Sequence, residues 1–196
     1  MIESCKKCRR EGEKLLLKGE RCLSQKCALV KRNYAPGQTG QSFRGKQSEY
    51  GKQLREKQKA KRYYIVGEKQ FSNYAEKAER MLGNSSENLL QLLETRLDNV
   101  VYRLGLTNSR NHSRQLISHG FIRVNGEKVS IPSFQVKVGD IIEPKKKENF
   151  TDIRSTTPSW IDFDVKNLSA KINHTPMREE IDTTVNESLI IEFYSR

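Results

Sequence analysis

The chain has no cysteine after residue 27, and only five prolines and one tryptophan among its 196 residues. No stretch approaches the roughly 18 consecutive apolar residues that a membrane span needs. The start, MIESCKKCRR, lacks the apolar centre of a secretory leader. A cytosolic setting is therefore expected, where disulfides seldom persist. Also missing are a Ser/His/Asp set, a phosphate-cradling glycine loop and histidines at metal-ligand spacing. His112, His119 and His174 stand apart, and isolated histidines usually serve hydrogen bonding or surface contacts. The expectation is a chain that is not an enzyme.

Acidic residues are scarce at one end. Residues 1–70 carry 19 Lys and Arg against 7 Asp and Glu, whereas residues 71–196 carry 17 of each, so the whole net charge of +12 lies in the first third. Such a segment repels itself unless counterions or a polyanion neutralise it. Nucleic acid is the first candidate partner, since each Lys or Arg set on a phosphate releases condensed counterions. A disordered basic tail without a defined target is the plainer alternative. Hydrophobic residues, 35 % of the chain, allow a modest core.

All four thiols lie in this basic segment, as Cys5-x2-Cys8-x13-Cys22-x4-Cys27. Two close pairs joined by a loop suit a four-thiolate tetrahedral metal site, with zinc the default and an iron–sulfur cluster the alternative. Free thiols and disulfides are the competing readings. Four cysteines leave no open position for water, so the site reads as a fold-stabilising clip. Lys6, Lys7, Arg9, Arg10 and Arg21 are expected to lower the thiol pKa values. Arg9, Arg10, Lys18, Arg21, Arg44 and Lys46 are candidate RNA contacts.

Pro36, Gly37, Gly40 and Gly45 break the next stretch into loops. From Ser48 the pattern is helical, but Gln53, Arg55, Lys57, Gln58, Lys59, Lys61 and Arg62 circle nearly every face, leaving no wide apolar stripe. These side chains suit a phosphate-lined groove, with Tyr63, Tyr64 and Phe71 stacking or packing nearby. The competing reading is a solvated charged helix with its aromatics in the core. FSNYAEKAERMLG reads as an amphipathic helix ending near Gly83. NSSENLLQLLETRLDNVVYRLG reads as one long amphipathic helix closed by Gly105. Ser109 caps a short helix running to His119, and Asn125-Gly126 supplies the tight turn of a hairpin in FIRVNGEKVSI. FQVKV is a further extended piece, followed by a Gly139-Asp140 turn. Residues 94–147 hold 10 Lys and Arg against 5 Asp and Glu. Arg96, Arg103, Arg110, Arg114, Arg123 and Lys128 are read as one exposed basic surface.

Residues 148–196 reverse the sign, with 5 Lys and Arg against 9 Asp and Glu. This part meets a basic protein or is simply solvated. PSWIDFDVKNLSAKINHTP is expected to be strand and turns, with Trp160, Ile161 and Phe163 packing on the first domain. LIIEFYSR is expected to be a docked terminal strand from which Tyr194 and Arg196 reach RNA or a neighbour.

RLDNVVYRLGLTNSRNHSRQLISHGFIRVNGEKV resembles the small RNA-binding domain named after the fourth protein of the small ribosomal subunit, a module also found in some synthetases and pseudouridine synthases. CRREGEKLLLKGERC, APGQTGQ, EYGKQLREKQKAKRYY, NLLQLLE and IIEFYSR resemble that ribosomal protein in the same order, so the similarity runs nearly end to end. Family membership implies a structural, primary binder of small-subunit ribosomal RNA that nucleates assembly of its 5′ region. It implies a place near the messenger RNA entry channel beside the third and fifth small-subunit proteins, an effect on decoding accuracy and, in some members, repression of the protein's own translation. Arg110, Arg114, Gln115 and His119 match the family's RNA-facing helix, and Gln53, Arg55, Lys57 and Arg62 match its other basic helix. Ser113 stands where alanine is frequent, a change without consequence if it faces solvent. The ribosome would be cytoplasmic or that of an organelle. Rival readings are an RNA-modifying enzyme, which would need a catalytic domain, and a regulator with a metal finger, which would need one reading helix.

The expected architecture is α+β. A metal-clipped basic N-terminal region (1–47) precedes a mainly helical domain (48–93 and 148–196), into which a helix–helix–β-hairpin RNA-binding module (94–147) is inserted.

Overall fold

The computed structural model describes residues 2–42, 46–146 and 157–195, with Ile2 and Glu3 described by backbone alone. Two compact units divide the chain: residues 1–75 with 185–196, and residues 76–184. The boundaries expected from the sequence differ, because 157–184 belongs with the second unit and only the final segment with the first.

The first unit contains α1 (Ile2–Glu11), the four-residue helices α2 (Glu20–Leu23) and α3 (Ala28–Lys31), and α4 (Glu49–Tyr63). It also holds the start of α5 (Glu68–Arg80), and α9 (Glu187–Tyr194). Ser48 caps α4 by accepting from the Gly51 N–H. Helix α4 lacks an apolar stripe, yet Gln53, Lys57, Lys59 and Ala60 are buried on it. The contacts that bury them come from distant acids and from α9. The C-terminal segment is thus a helix, not the expected strand. Asn186 caps it through the Leu189 N–H, and Ile190 is its buried anchor. Tyr64 and Phe71 are core residues. Arg9 fastens the Pro/Gly loop that follows α3. Its guanidinium donates to the carbonyls of Tyr34 (2.9 Å) and Ala35 (3.4 Å) and lies over the Tyr34 ring.

The second unit holds the end of α5, then α6 (Ser85–Glu94), α7 (Leu97–Arg103), α8 (Arg110–Ser118) and one antiparallel sheet. Its strands are β1 (Ile122–Val124), β2 (Glu127–Lys128), β3 (Ile141–Pro144), β4 (Ile161–Asp164) and β5 (Ser169–Ile172), in the order β2-β1-β3-β5-β4. Asn125 and Gly126 both take positive φ, 52° and 82°, as the β1–β2 turn requires.

The long helix expected over 84–105 is two helices. At the break Arg96 is extended, with φ −68° and ψ 137°. Segment 132–136 takes the backbone bonds there: Leu97 N–H donates to Phe134 O (2.8 Å) and Val136 N–H to Thr95 O (2.9 Å). The extended piece FQVKV therefore acts as an edge that interrupts a helix, through the single bridge between Arg96 and Gln135.

One core holds the second unit together. Leu97, Val100, Val101 and Leu104 of α7 meet Ile117 of α8, Ile122 and Ile142 of the sheet, and Trp160, Ile161, Ala170 and Ile172 of the β4–β5 hairpin. Trp160 and Ile161, expected to pack on the first domain, thus belong to the core of the second unit.

Candidate nucleic-acid interface

The N-terminal thiols share one location. Cys5, Cys8, Cys22 and Cys27 line a cavity of about 20 Å³ together with Lys18 and Arg21. Cys8, Cys22 and Cys27 are buried and Cys5 is half-buried, all as free thiols. The Lys18 N–H donates to Cys22 Sγ at 3.3 Å. Among the described residues no three His, Cys, Asp or Glu side chains are gathered as a ready metal-ligand set. Burial pushes the Cys8 and Cys22 thiols up, and the neighbouring thiols add to this; N–H groups of Leu15 and Lys18 pull the other way. The expected lowering by surrounding cations is overturned for these two, because desolvation outweighs charges that sit in solvent. Four sulfurs line this one small space, and one of them already accepts a backbone N–H.

The basic helix α4 is largely held from within its own unit. Gln53, expected to face RNA, is buried and donates to Glu192 at 3.0 Å. Its Oε1 has no hydrogen-bond partner among the described residues. Lys57 is also buried, bonded to Glu68 at 2.6 Å and lying 4.2 Å from the Phe193 ring centroid. Lys61 meets the other oxygen of Glu68 at 2.7 Å. Tyr194 is half-buried, its hydroxyl 3.5 Å from Glu68; burial first, then that carboxylate, pushes the phenol up. Arg55 and Arg62 both donate to Glu11. Gln58 is half-buried, Lys18 half-buried, and Arg10, Arg21 and Lys46 are exposed. Arg44 and Arg196 lie outside the described residues.

In the second unit the six basic residues do not form one exposed face. Arg96 is fully buried in a two-pronged pair with Asp98, Nε to Oδ1 at 3.0 Å and Nη2 to Oδ2 at 2.5 Å. Arg110 is buried too, donating to Asn99 Oδ1 (2.8 Å) with its guanidinium over the Tyr102 ring. Arg103 grips Glu94 through two bonds of 3.0 and 2.8 Å. These arginines brace α6, α7 and α8 against one another. Ser113 also faces inward, fully buried, and shares a 2.6 Å hydrogen bond with Thr107.

The outward set is smaller: Arg114, Gln115, His119 and Lys128 are exposed. Arg114 keeps 45 % of its side chain exposed while one nitrogen sits 3.9 Å from Asp98. His119 stacks beside Phe121, centroids 6.4 Å apart. Lys128 lies across Gly120, whose missing side chain leaves room for it: a Cβ there would meet Lys128 Cε at 2.0 Å. Helix α8 and the β1–β2 hairpin thus present cations, an amide and a stacked imidazole, groups that bind phosphates and unpaired bases. The organising acids Glu11, Glu68, Glu94 and Asp98 were missed in the sequence. Only Glu94 and Asp98 had a local signal, their short distance from Arg96 and Arg103.

A helix pair and a short hairpin that turn Arg114 and Lys128 outward have the make-up of an RNA-binding module, and residues 95–142 match the S4 domain. Residues 3–94 match the Ribosomal protein S4/S9 N-terminal domain. The chain is 56 % identical to small ribosomal subunit protein uS4 of Clostridioides difficile, covering 98 % of this chain and 97 % of that one. It is 54 % identical to uS4A of Alkaliphilus metalliredigens (98 % and 96 % covered) and 52 % to uS4 of Acetivibrio thermocellus (98 % and 97 %). The chain belongs to the uS4 family of small ribosomal subunit proteins, which are structural proteins and not enzymes.

Proposed function

We propose that this chain is a structural component of the bacterial small ribosomal subunit, located with the ribosome in the cytoplasm, and that it binds ribosomal RNA through both units. The observation that carries this reading is the end-to-end family match combined with exposed cations on each unit: Arg10 and Lys46 on the first, and Arg114 and Lys128 on the second. Phosphate contacts supply affinity, and joining two modest sites on one chain raises the effective concentration of the second. In its finer form the proposal is a primary binder that nucleates the 5′ region of small-subunit RNA. It sits near the messenger RNA entry channel beside the third and fifth small-subunit proteins and contributes to decoding accuracy.

The four cysteines hold one zinc ion in this reading, with an iron–sulfur cluster as the alternative. Their shared cavity and the N–H bonded to Cys22 support it. A bound ion would withdraw the thiol protons and tie the two Cys pairs together, stabilising residues 5–27 without taking part in any reaction.

Chemical footprinting on small-subunit RNA, with metal content measured on the same preparation, tests both parts. Protection across several helices of the 5′ region and one zinc per chain is expected. Iron with acid-labile sulfide would select the cluster. No protection at moderate salt would overturn the RNA reading.

A further inference from the structure

Helices α1 and α4 belong to one unit, and a groove of about 280 Å³ is lined by Arg10, Glu11, Lys52, Arg55, Glu56 and Lys59. Three acids, Glu11, Glu13 and Glu56, lie among its cations, and Glu11 is the one shared by two arginines. The Glu11 side chain is only 2 % exposed, although the residue as a whole is half-buried, and its Oε1 accepts from Nη1 of Arg55 (3.4 Å) and of Arg62. Those arginines keep 29 % and 22 % of their side chains exposed. Seven residues apart, their backbone positions lie about 10 Å from each other along one side of α4, while both guanidinium groups converge on that one carboxylate oxygen. Each guanidinium has five N–H donors in a rigid plane, so one bond to Glu11 leaves others for an outside acceptor.

Burial pushes the Glu11 carboxyl up, while Arg55, Arg62 and Arg10 pull it down and Glu56 pushes it up. A buried carboxylate in a basic unit is costly unless its partners need it.

Resting on the RNA-binding reading above, we propose that Glu11 is a positioning residue for RNA: it holds the Arg55 and Arg62 forks from beneath, so that their outward edges meet phosphates as a preformed pair. A free arginine side chain carries substantial rotamer entropy. Ordering two of them before RNA arrives removes that cost from binding.

This role predicts a sign opposite to simple electrostatics. Replacing Glu11 with a neutral residue adds one positive charge, which by itself tightens binding to any polyanion. Positioning predicts weaker binding to the specific RNA. The test titrates the full chain against a transcript of the 5′ region of small-subunit ribosomal RNA and against an unrelated duplex RNA, with thermal melting of each variant. Glu11→Gln is expected to weaken specific binding about tenfold, the scale of one charge-assisted hydrogen bond, and to leave duplex binding unchanged or tighter. Glu49→Gln adds the same charge at the exposed first turn of α4 and is expected to bind the specific RNA no more weakly than the parent.

Specific binding by Glu11→Gln that equals or exceeds the parent's overturns the proposal. If that variant melts below the assay temperature, Arg62→Lys decides, since it keeps the charge but loses the fork: parent-like affinity then overturns the proposal. A parent protein that fails to distinguish the two RNAs overturns the functional reading instead, whatever Glu11 does.

Discussion

Arg96 and Arg114 show how burial divides residues of one type. Arg96 is enclosed with Asp98, so Arg96→Ala leaves a buried carboxylate without its main partner; a loss of about 3–5 kcal/mol is expected in urea unfolding. Arg114→Ala removes an exposed cation and is expected to change stability by less than about 0.5 kcal/mol while weakening RNA binding and flattening its salt dependence. Equal unfolding midpoints for the two variants would contradict this division. Glu180 offers a pH test. It accepts from the Met177 N–H (2.9 Å), the Ser159 hydroxyl and His174 (3.0 Å), and these bonds, the first most of all, hold its carboxyl below the usual range. Its folded pKa is depressed, so its contribution is complete above the unfolded value near ~4.3 and is lost as pH falls through the folded value. NMR titration is expected to show the Met177 amide shifting in that acid window and still unmoved at pH ~5, within the resolution of the shift.

At the scale of elements, α4 and α9 depend on each other. An isolated α4 has no apolar stripe, and α9 supplies Phe193, Tyr194 and Glu192 against Lys57 and Gln53. Glu68→Gln removes the carboxylate shared by Lys57 and Lys61, leaving Lys57 buried; since Glu68 itself is half exposed, a destabilisation of about 1–2 kcal/mol is expected by thermal or chemical melting. A change within ±0.5 kcal/mol would show that Lys57 finds solvent instead. The loop 35–40 has a different constraint. A Cβ on Gly40 would stand 1.9 Å from the Ala35 carbonyl oxygen, so Gly40→Ala must shift backbone. Faster proteolysis between residues 32 and 42 is the expected result, and parent-like resistance would refute it.

For the whole molecule, metal and RNA are the variables. If the four thiols hold zinc, stripping it with a chelator lowers the melting temperature of the first unit, and Cys22→Ser does the same without chelator. The second unit has its own core, so its melting is expected to stay where it was. Calorimetry showing both units shifted equally, or neither, would contradict this. Deleting residues 1–47 removes Glu11, Glu13 and the thiols at once, and a large loss of RNA affinity is expected from the gel-shift midpoint.

The sequence alone carried the net charge and its uneven placement, the thiol spacing, and the hairpin turn at Asn125-Gly126. It also carried the helix start near Ser48 and the cap at Ser109, because these depend on residues close in the chain. It did not carry the break at Arg96, where segment 132–136 competes for backbone bonds, nor the helical state of the last residues, which α4 stabilises from far away. Above all it could not separate working cations from bracing ones. Arg96, Arg110 and Lys57 look like Arg114 and Lys128 as letters, and only the folded chain decides which meet a carboxylate or ring indoors and which are left facing water. Charge is a property of composition, but its availability is set by the partners that tertiary packing brings within hydrogen-bond reach.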